Sequence, residues 1–180
     1  MKSRNIKIDL FDGGKSLQEA IRQIEQYRDE LPRKCQQLCQ RLSEIGEQTA
    51  LVAISESPQG KAVTLRMDID PSKTGCKAML IGTGKTVTDD KGRAYNLLLG
   101  IEFGSGIRYN PTNNPMASEF GMGVGTFPDQ KHALDPGGWM YLDKDGNWKH
   151  SYGIKATMPF YKAMTEIQRN VNDVVKDVFK

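Results

Sequence analysis

The chain has 180 residues, a length typical of one domain with its own core. Its hydrophobic share of 38% and charged share of 26% are those of a folded, soluble protein and exclude a disordered chain. A net charge of +3 is too small to indicate nucleic-acid binding by itself. No apolar run approaches the roughly 20 residues that span a bilayer. The first ten residues lack the apolar stretch of a secretory signal.

Two amphipathic helices are predicted near the N-terminus. Ser16 and Glu19 have the spacing of a capping box, so we expect the first helix to begin at Ser16. Pro32 predicts either a kink or a new start, and the second helix is expected to run from there to about Ile54. Both apolar stripes are expected to pack in the core, with a docking surface for a neighbouring subunit as the alternative. The stripes are Leu17, Ile21, Ile24, Tyr27 and Leu31, then Cys35, Leu38, Cys39, Leu42, Ile45, Thr49 and Val52.

The middle of the chain changes from a helical to a strand-like pattern. Residues 61–69 alternate between apolar and polar side chains, which predicts a half-buried strand. Residues 76–83 predict a second strand, and the short loop between them predicts antiparallel pairing. Residues 94–103 are strongly apolar, but their period does not distinguish helix from strand.

A long segment rich in glycine and proline follows, at residues 104–138. It holds seven glycines and four prolines, and a loop of this length is typically functional or disordered. Its apolar residues need a surface to cover, either this subunit's own or that of a partner, and four of them are candidates for a partner contact. The candidates are Met116, Phe120, Met122 and Phe127. We expect one domain over residues 1–180, with residues 104–138 as a loop insertion within it.

The C-terminal part predicts a hairpin and a helix. Residues 139–142 and 148–152 are the expected arms, joined by a turn at residues 143–146. Pro159 fits the first turn of a helix over about 158–179. The predicted fold class is α+β, with long N-terminal helices and a C-terminal helix packed on a small, mainly antiparallel sheet.

Two short motifs imitate ligand-binding loops. Residues 82–86 resemble the end of a phosphate-binding P-loop, but Met79 stands where the first glycine should fall, and no helical pattern follows. Asp143 and Asp145 resemble the start of a calcium loop, but Ile154 stands where that loop needs glutamate. A hairpin turn is the preferred interpretation of the second motif.

Catalytic and metal-binding residues are scarce. Three cysteines are expected to be small core residues, because a zinc site would need more ligands than the chain offers nearby. Glu102 would act as a general base only with a partner in a pocket. The sequence therefore predicts no enzyme, no metal and no cofactor.

Two segments resemble a known family. Residues 94–106, AYNLLLGIEFGSG, resemble the Y-A…V-E-F-G-T-G segment of bacteriophage tail-completion proteins, a group that includes the minor tail protein Z type. Residues 156–163, ATMPFYKA, resemble that family's A-R-P-F-x-x-x-A start of the last helix. The motif residues are Tyr95, Glu102, Phe103, Gly104, Pro159 and Phe160. From the residues alone, Glu102 is expected to cap a backbone donor or to pair with a basic group, with a subunit contact as the alternative.

The resemblance implies a structural virion protein that joins tail to head. The subunit would assemble in the host cytoplasm into a ring, with six copies expected, at the head–tail junction. Its partners would be the tail tube or tail terminator and the neck or portal-side proteins, with DNA passing through the lumen without sequence-specific contacts and no membrane involved. A tail-terminator or head-closure ring is the alternative within this class, and a DNA-binding module is the alternative from another.

Overall fold

The computed structural model describes residues 6–9, 11–88, 92, 94–106, 114–122, 135–143 and 145–180. In it, the two predicted N-terminal helices form one continuous helix, α1 (Lys15–Ser55). Pro32 lies inside this helix, so the expected alternative of a new start there is wrong. A proline removes only one backbone donor, and the rest of the 41-residue helix supplies the remaining helical hydrogen bonds.

The predicted capping box does not form. Gly14 is the N-cap residue, and the Asp12 carboxylate accepts hydrogen bonds from the Ser16 N–H at 2.7 Å and the Gly14 N–H at 2.9 Å. The Ser16 hydroxyl instead donates to the Asp9 carbonyl, and Glu19 pairs with Arg22. The hydrogen bonds with Ser16 hold the pKa of Asp12 below its usual range. The cap comes from a residue before the helix, because the chain turns back at Gly13 and Gly14.

The central hairpin confirms the predicted strand pair. Strand β1 (Val63–Pro71) pairs antiparallel with β2 (Cys76–Gly84), and Met67 lies opposite Leu80. The first predicted residues form a short 3-10 turn at Gly60–Ala62. Alternate residues of β1 are half-buried and exposed, and the hairpin packs on α1.

The ambiguous apolar segment is both strand and helix. Strand β4 (Ala94–Asn96) pairs with β3 (Thr86–Thr88), and helix α2 (Leu97–Phe103) follows directly. The Asn96 side chain accepts from the Leu98 N–H at 2.9 Å, which is an ordinary N-cap. A seven-residue helix with a capped start explains why no clear period appears in the sequence.

The last elements also confirm the prediction. Strands β5 (Trp139–Leu142) and β6 (Trp148–Ser151) form a hairpin, and helix α3 (Pro159–Val178) ends the fold. The fold class is α+β, as predicted. In the described part of the chain the strands form three separate two-stranded antiparallel sheets, where one small sheet was expected.

Helix α3 packs antiparallel along the C-terminal half of α1. Ile167 faces Gly46, where an added Cβ would come within 2.7 Å of the Ile167 Cδ1 atom. At one end Lys162 pairs with Glu56, and at the other Lys34 lies 5.9 Å from the centre of the Phe179 ring. This packing leaves the start of α3 against α2 and β2, and the end of α3 near the middle of α1.

Candidate functional site

The two motif segments meet where α2 ends and α3 begins. Glu102 lies in the last turn of α2 and is 7% exposed. Its Oε2 atom accepts the Phe160 N–H at 2.8 Å, and its Oε1 atom accepts the Tyr161 N–H at 3.0 Å. Pro159, the first residue of α3, has no N–H to satisfy. The carboxylate therefore takes the first two free donors of α3 and caps that helix from another element.

Asn114 completes the environment of Glu102. Its side-chain amide donates to Glu102 Oε1 at 2.9 Å and to the Glu102 carbonyl at 3.2 Å. Its side-chain oxygen accepts the Met116 N–H at 2.9 Å. Asn114 is 4% exposed, so these bonds are shielded from water. They tie the described part of the loop at 114–122 to the carboxylate that caps α3.

Burial dominates the electrostatics of Glu102. It raises the pKa of the carboxyl above its ordinary value, against the hydrogen bonds from Phe160, Tyr161 and Asn114 and the nearby charge of Lys162. The carboxylate accepts two backbone hydrogen bonds, from Phe160 and Tyr161, and one side-chain hydrogen bond, from Asn114. Helix capping occupies both of its oxygens, which favours a structural role over proton transfer to a substrate.

A pair of backbone bridges fixes the angle between α2 and α3. The Ile101 carbonyl accepts the N–H groups of Thr157 at 2.8 Å and Met158 at 3.2 Å, and Ser105 exchanges two 2.8 Å hydrogen bonds with Ile154. Met158 has a φ of 56°, a left-handed conformation that costs a non-glycine residue about 1–2 kcal/mol. These bridges hold that residue in place, so the chain enters α3 in one defined direction.

Gly104 is required by its backbone conformation. Its φ is 76°, and an added Cβ would lie 3.1 Å from the Ala156 backbone nitrogen and 3.2 Å from the Ile154 carbonyl oxygen. A side chain at this position would both strain the backbone and push against the segment that leads into α3. Its neighbour Phe103 is 4% exposed. The E-F-G motif thus combines a cap, a buried ring and a turn.

Phe160 and Tyr95 pack against glycines. An added Cβ at Gly82 would lie 2.5 Å from the Phe160 Cζ atom, so the ring rests directly on β2. The Tyr95 hydroxyl lies over Gly100 and is itself buried, which raises the pKa of Tyr95 against a hydrogen bond with the Ser105 side chain. Phe160 therefore joins α3 to the distant strand β2, whereas Tyr95 packs on the helix that directly follows its own strand.

Three of the four candidate partner-contact residues lie in the described part of the chain. Phe120 is 61% exposed, and its ring centroid lies 5.5 Å from that of Phe103. Met116 and Met122 are half-buried. Phe127 lies outside the described residues. The structure places the Phe120 ring against Phe103 and links the Met116 N–H to Asn114, while contact of these residues with a partner stays a prediction.

The two segments that resemble a P-loop and a calcium loop have structural roles instead. Thr86 begins strand β3, so the helix whose N-terminus would bind a phosphate does not follow the 82–86 segment. The Asp143 carboxylate accepts the N–H groups of Asp145 and Asn147 at 2.9 Å each and pairs with Lys149, as in a closed hairpin turn. Within the described ranges no group of three histidine, cysteine or acidic side chains is placed to hold a metal ion.

Two exposed apolar surfaces lie away from Glu102. On the β5–β6 hairpin, Leu142 faces Trp148 across the strands, and Met140 lies on the same side. These side chains are 54%, 69% and 53% exposed, in the order given. On the N-terminal half of α1, Leu17, Ile21, Ile24 and Tyr27 are also exposed. Contiguous apolar surface of this kind is typical of proteins that bind other proteins.

Sequence reasoning missed Asn114 and Met158. Asn114 follows a run of small polar residues with no pattern to connect it with Glu102, 12 positions earlier. Met158 carries no sign of its left-handed backbone, since that conformation is set by bridges to Ile101. For Glu102, the sequence predicted two structural options, a cap on a backbone donor or a pair with a basic group, and the structure shows the cap.

No protein-family model, curated protein or solved structure matches this chain. Among the described residues, no helix combines the length and apolar character needed to cross a membrane.

Proposed function

We propose that this protein is a tail-completion subunit of a tailed bacteriophage, a structural protein that forms a ring at the head–tail junction and joins tail to head. The observation that carries the proposal is the hydrogen bonding of Glu102 to Phe160 and Tyr161. The two segments that resemble the tail-completion family meet at this carboxylate, although Glu102 and Phe160 are 58 positions apart in the sequence. They form one structural unit, as expected if both are parts of the same family pattern.

The exposed surfaces support an assembly role. A hairpin of two short strands is only marginally stable by itself in water, yet β5–β6 presents Leu142 and Trp148 to solvent. A neighbouring subunit or a tail protein that covers this face would stabilise both the hairpin and the contact. The proposed partners are further copies of the chain, the tail tube or terminator, and the neck or portal-side proteins. A tail-terminator or head-closure ring fits the same observations.

Complementation of a phage that lacks this protein tests the proposal. We expect full heads and separate tails in its absence, and joined particles when the wild-type chain is supplied. Deletion of residues 120–127 should leave a folded subunit that fails to join them. Normal infectivity with that deletion would refute the role of the loop, and normal joining without the protein would refute the function.

Point variants on the hairpin refine the test. Trp148→Ser should reduce joining, because it removes the most exposed aromatic side chain of this face. Lys73→Ser, in the tight turn between β1 and β2, is the control and should behave as wild type. Affinity for DNA at physiological salt, falling steeply as salt rises, would instead favour the DNA-binding alternative.

A further inference from the structure

The three cysteines of the chain lie together where α1 passes the start of β2. Cys35 and Cys39 are about one helical turn apart on α1, and Cys76 is the first residue of β2. The Cys39 thiol donates a hydrogen bond to the Cys76 carbonyl, with 3.4 Å between the sulfur and the oxygen. Two cysteines that are 37 positions apart in the sequence are therefore in direct contact.

The packing of β2 on α1 turns the Cys76 side chain toward Cys39. Leu80 of β2 reaches α1 at Gly46, where an added Cβ would lie 3.8 Å from the Leu80 Cδ2 atom. Cys76 lies on the same side of the strand as Leu80, because side chains alternate and the two are an even number of residues apart. Cys39 lies on the same side of the helix as Gly46, two turns earlier. These steps cover about 13 Å of strand and about 10 Å of helix, so the two side chains face each other.

We propose that Cys39 and Cys76 form a reversible intramolecular disulfide, which makes this pair a site of redox modification between α1 and β2. The Cys39 sulfur already touches the Cys76 backbone, so rotation of the Cys76 side chain about its Cα–Cβ bond brings the two sulfurs together. This rotation gives up only a weak contact of 3.8 Å between the Cys76 sulfur and the Lys77 carbonyl oxygen. Cys35 and Cys39 are the poorer pair, because side chains at this helical spacing stand too far apart for an unstrained bridge.

The two thiols differ in reactivity. Burial raises the pKa of the Cys39 thiol to about 11, and the neighbouring Cys76 and Cys35 add to the increase. Cys39 therefore stays protonated at neutral pH, and a protonated thiol is a poor nucleophile. Cys76 follows the exposed turn at residues 72–74, so it is the thiol that a dissolved oxidant meets first.

A low-molecular-weight disulfide such as oxidised glutathione is the expected oxidant, and it reacts in two exchange steps. The Cys76 thiolate attacks one glutathione sulfur, which forms a mixed disulfide, breaks the glutathione disulfide and releases one glutathione. The Cys39 thiol then loses its proton and attacks the Cys76 sulfur, which forms the Cys39–Cys76 bond and releases the second glutathione. Two protein thiols are oxidised to one disulfide, while oxidised glutathione is reduced to two thiols that carry both protons.

The disulfide would fix the tip of the β1–β2 hairpin. The other end of this hairpin is already closed, because the Lys85 N–H donates to the Ala62 carbonyl at 3.0 Å. At the tip, residues 71–76, the hydrogen bond from Cys39 to Cys76 is the corresponding link to α1, and the disulfide makes that link covalent.

The time of bond formation follows from the surroundings of the protein. Thiols stay reduced in a cytoplasm and oxidise outside the cell. The bond should therefore form after the particle leaves the host. This timing rests on the proposed function, whereas the bond itself depends only on the two thiols.

Oxidation of the full chain with oxidised glutathione tests the proposal. Because Cys35 and Cys39 lie in one tryptic peptide, the test uses Cys35→Ala. This variant should lose both remaining thiols, become lighter by two hydrogen atoms and stay monomeric on a non-reducing gel. The single-cysteine control Cys35→Ala/Cys39→Ala should instead retain glutathione on Cys76, because the second thiol is missing. The other control, Cys35→Ala/Cys76→Ala, should react roughly tenfold more slowly, since its one thiol is protonated.

Thermal unfolding gives a second measurement. Oxidised Cys35→Ala should unfold about 5–15 °C above its reduced form, as expected for a disulfide that closes a loop of this length. Circular dichroism checks that every variant folds. A folded Cys35→Ala that keeps both thiols, or that forms only mixed or intermolecular disulfides, would overturn the proposal. If it does so while the complementation assay still shows head–tail joining, this inference fails and the proposed function stands.

Discussion

Glu102 is the residue on which the junction of α2 and α3 depends, and it acts as an acceptor more than as a charge. Its oxygens accept two helix N–H groups and the Asn114 amide, while burial raises its pKa. An uncharged side chain of similar shape that accepts hydrogen bonds can also cap the first N–H groups of α3. The charge itself is costly at this buried position.

Replacing Glu102 separates these two contributions. Glu102→Ala leaves two α3 donors without an acceptor and should lower the free energy of unfolding by about 2–4 kcal/mol. Glu102→Gln keeps the side-chain volume and one acceptor, and should cost less than half as much. Urea denaturation at pH 7 measures both. Glu56→Ala is the control: its ion pair with Lys162 is exposed, so the change should stay within about 0.5 kcal/mol. An enzymatic activity lost in Glu102→Gln would favour catalysis.

The raised pKa of Glu102 also predicts a pH dependence. The folded state holds the proton more tightly than the unfolded state, whose ordinary value is 4.5. The contribution of Glu102 to stability is therefore largest below that value and falls as pH rises through the folded pKa. The unfolding free energy of wild type relative to Glu102→Ala should decrease from pH 4 upward and then level off. An increase over that window would show that the hydrogen bonds outweigh burial.

At the scale of elements, α3 is positioned by close approach of a ring to a strand. Phe160, the second residue of α3, lies on Gly82 of β2, where no side chain intervenes. The capped end of α3 and this ring contact together fix the helix against both α2 and the central hairpin. A glycine in the middle of a strand commonly marks a close approach of another part of the protein, and at Gly82 that part is the Phe160 ring.

A double-mutant cycle measures this contact. Gly82→Ala should lower the free energy of unfolding by about 1–3 kcal/mol, because the new Cβ overlaps the Phe160 ring. In a Phe160→Leu background the same change should cost clearly less, since the atoms that clash are gone. Gly75→Ala is the control, as an added Cβ there meets nothing within 4 Å. Equal costs in both backgrounds would contradict the ring contact.

At the scale of the whole molecule, α1 divides into a packed and an extended half. Residues beyond Lys34 lie against α3 and the β1–β2 hairpin, while residues 15–31 have no α3 beside them. Most helical stability in proteins comes from the packing of an apolar face. The two halves of one helix should therefore differ widely in local stability.

Hydrogen exchange detects this difference. Amides of residues 17–31 should exchange much faster than those of residues 38–54. Uniform protection along α1 would contradict the division of the helix.

The fold class, the β1–β2 and β5–β6 hairpins and helix α3 were predictable from the sequence, because each has a local signal in periodicity, turn residues or a proline at the helix start. The resemblance selected Glu102, Gly104 and Phe160 as important, but their roles depend on contacts with residues far along the chain, such as the 58 positions between Glu102 and Phe160, that no local pattern encodes. The capping-box prediction was wrong for a different, local reason: a turn at Gly13 and Gly14 brings the Asp12 carboxylate to the free N–H groups at the start of α1.

What the sequence determined by itself is the set of elements and their apolar faces, since propensity and periodicity act over a few residues. Only the tertiary structure decided which faces are covered. The stripes at Leu17 and Leu42 look alike in the sequence, yet α3, 20 residues long, covers only one half of the 41-residue α1. Burial depends on the length and direction of a partner element, and this is information that no single segment of the chain contains.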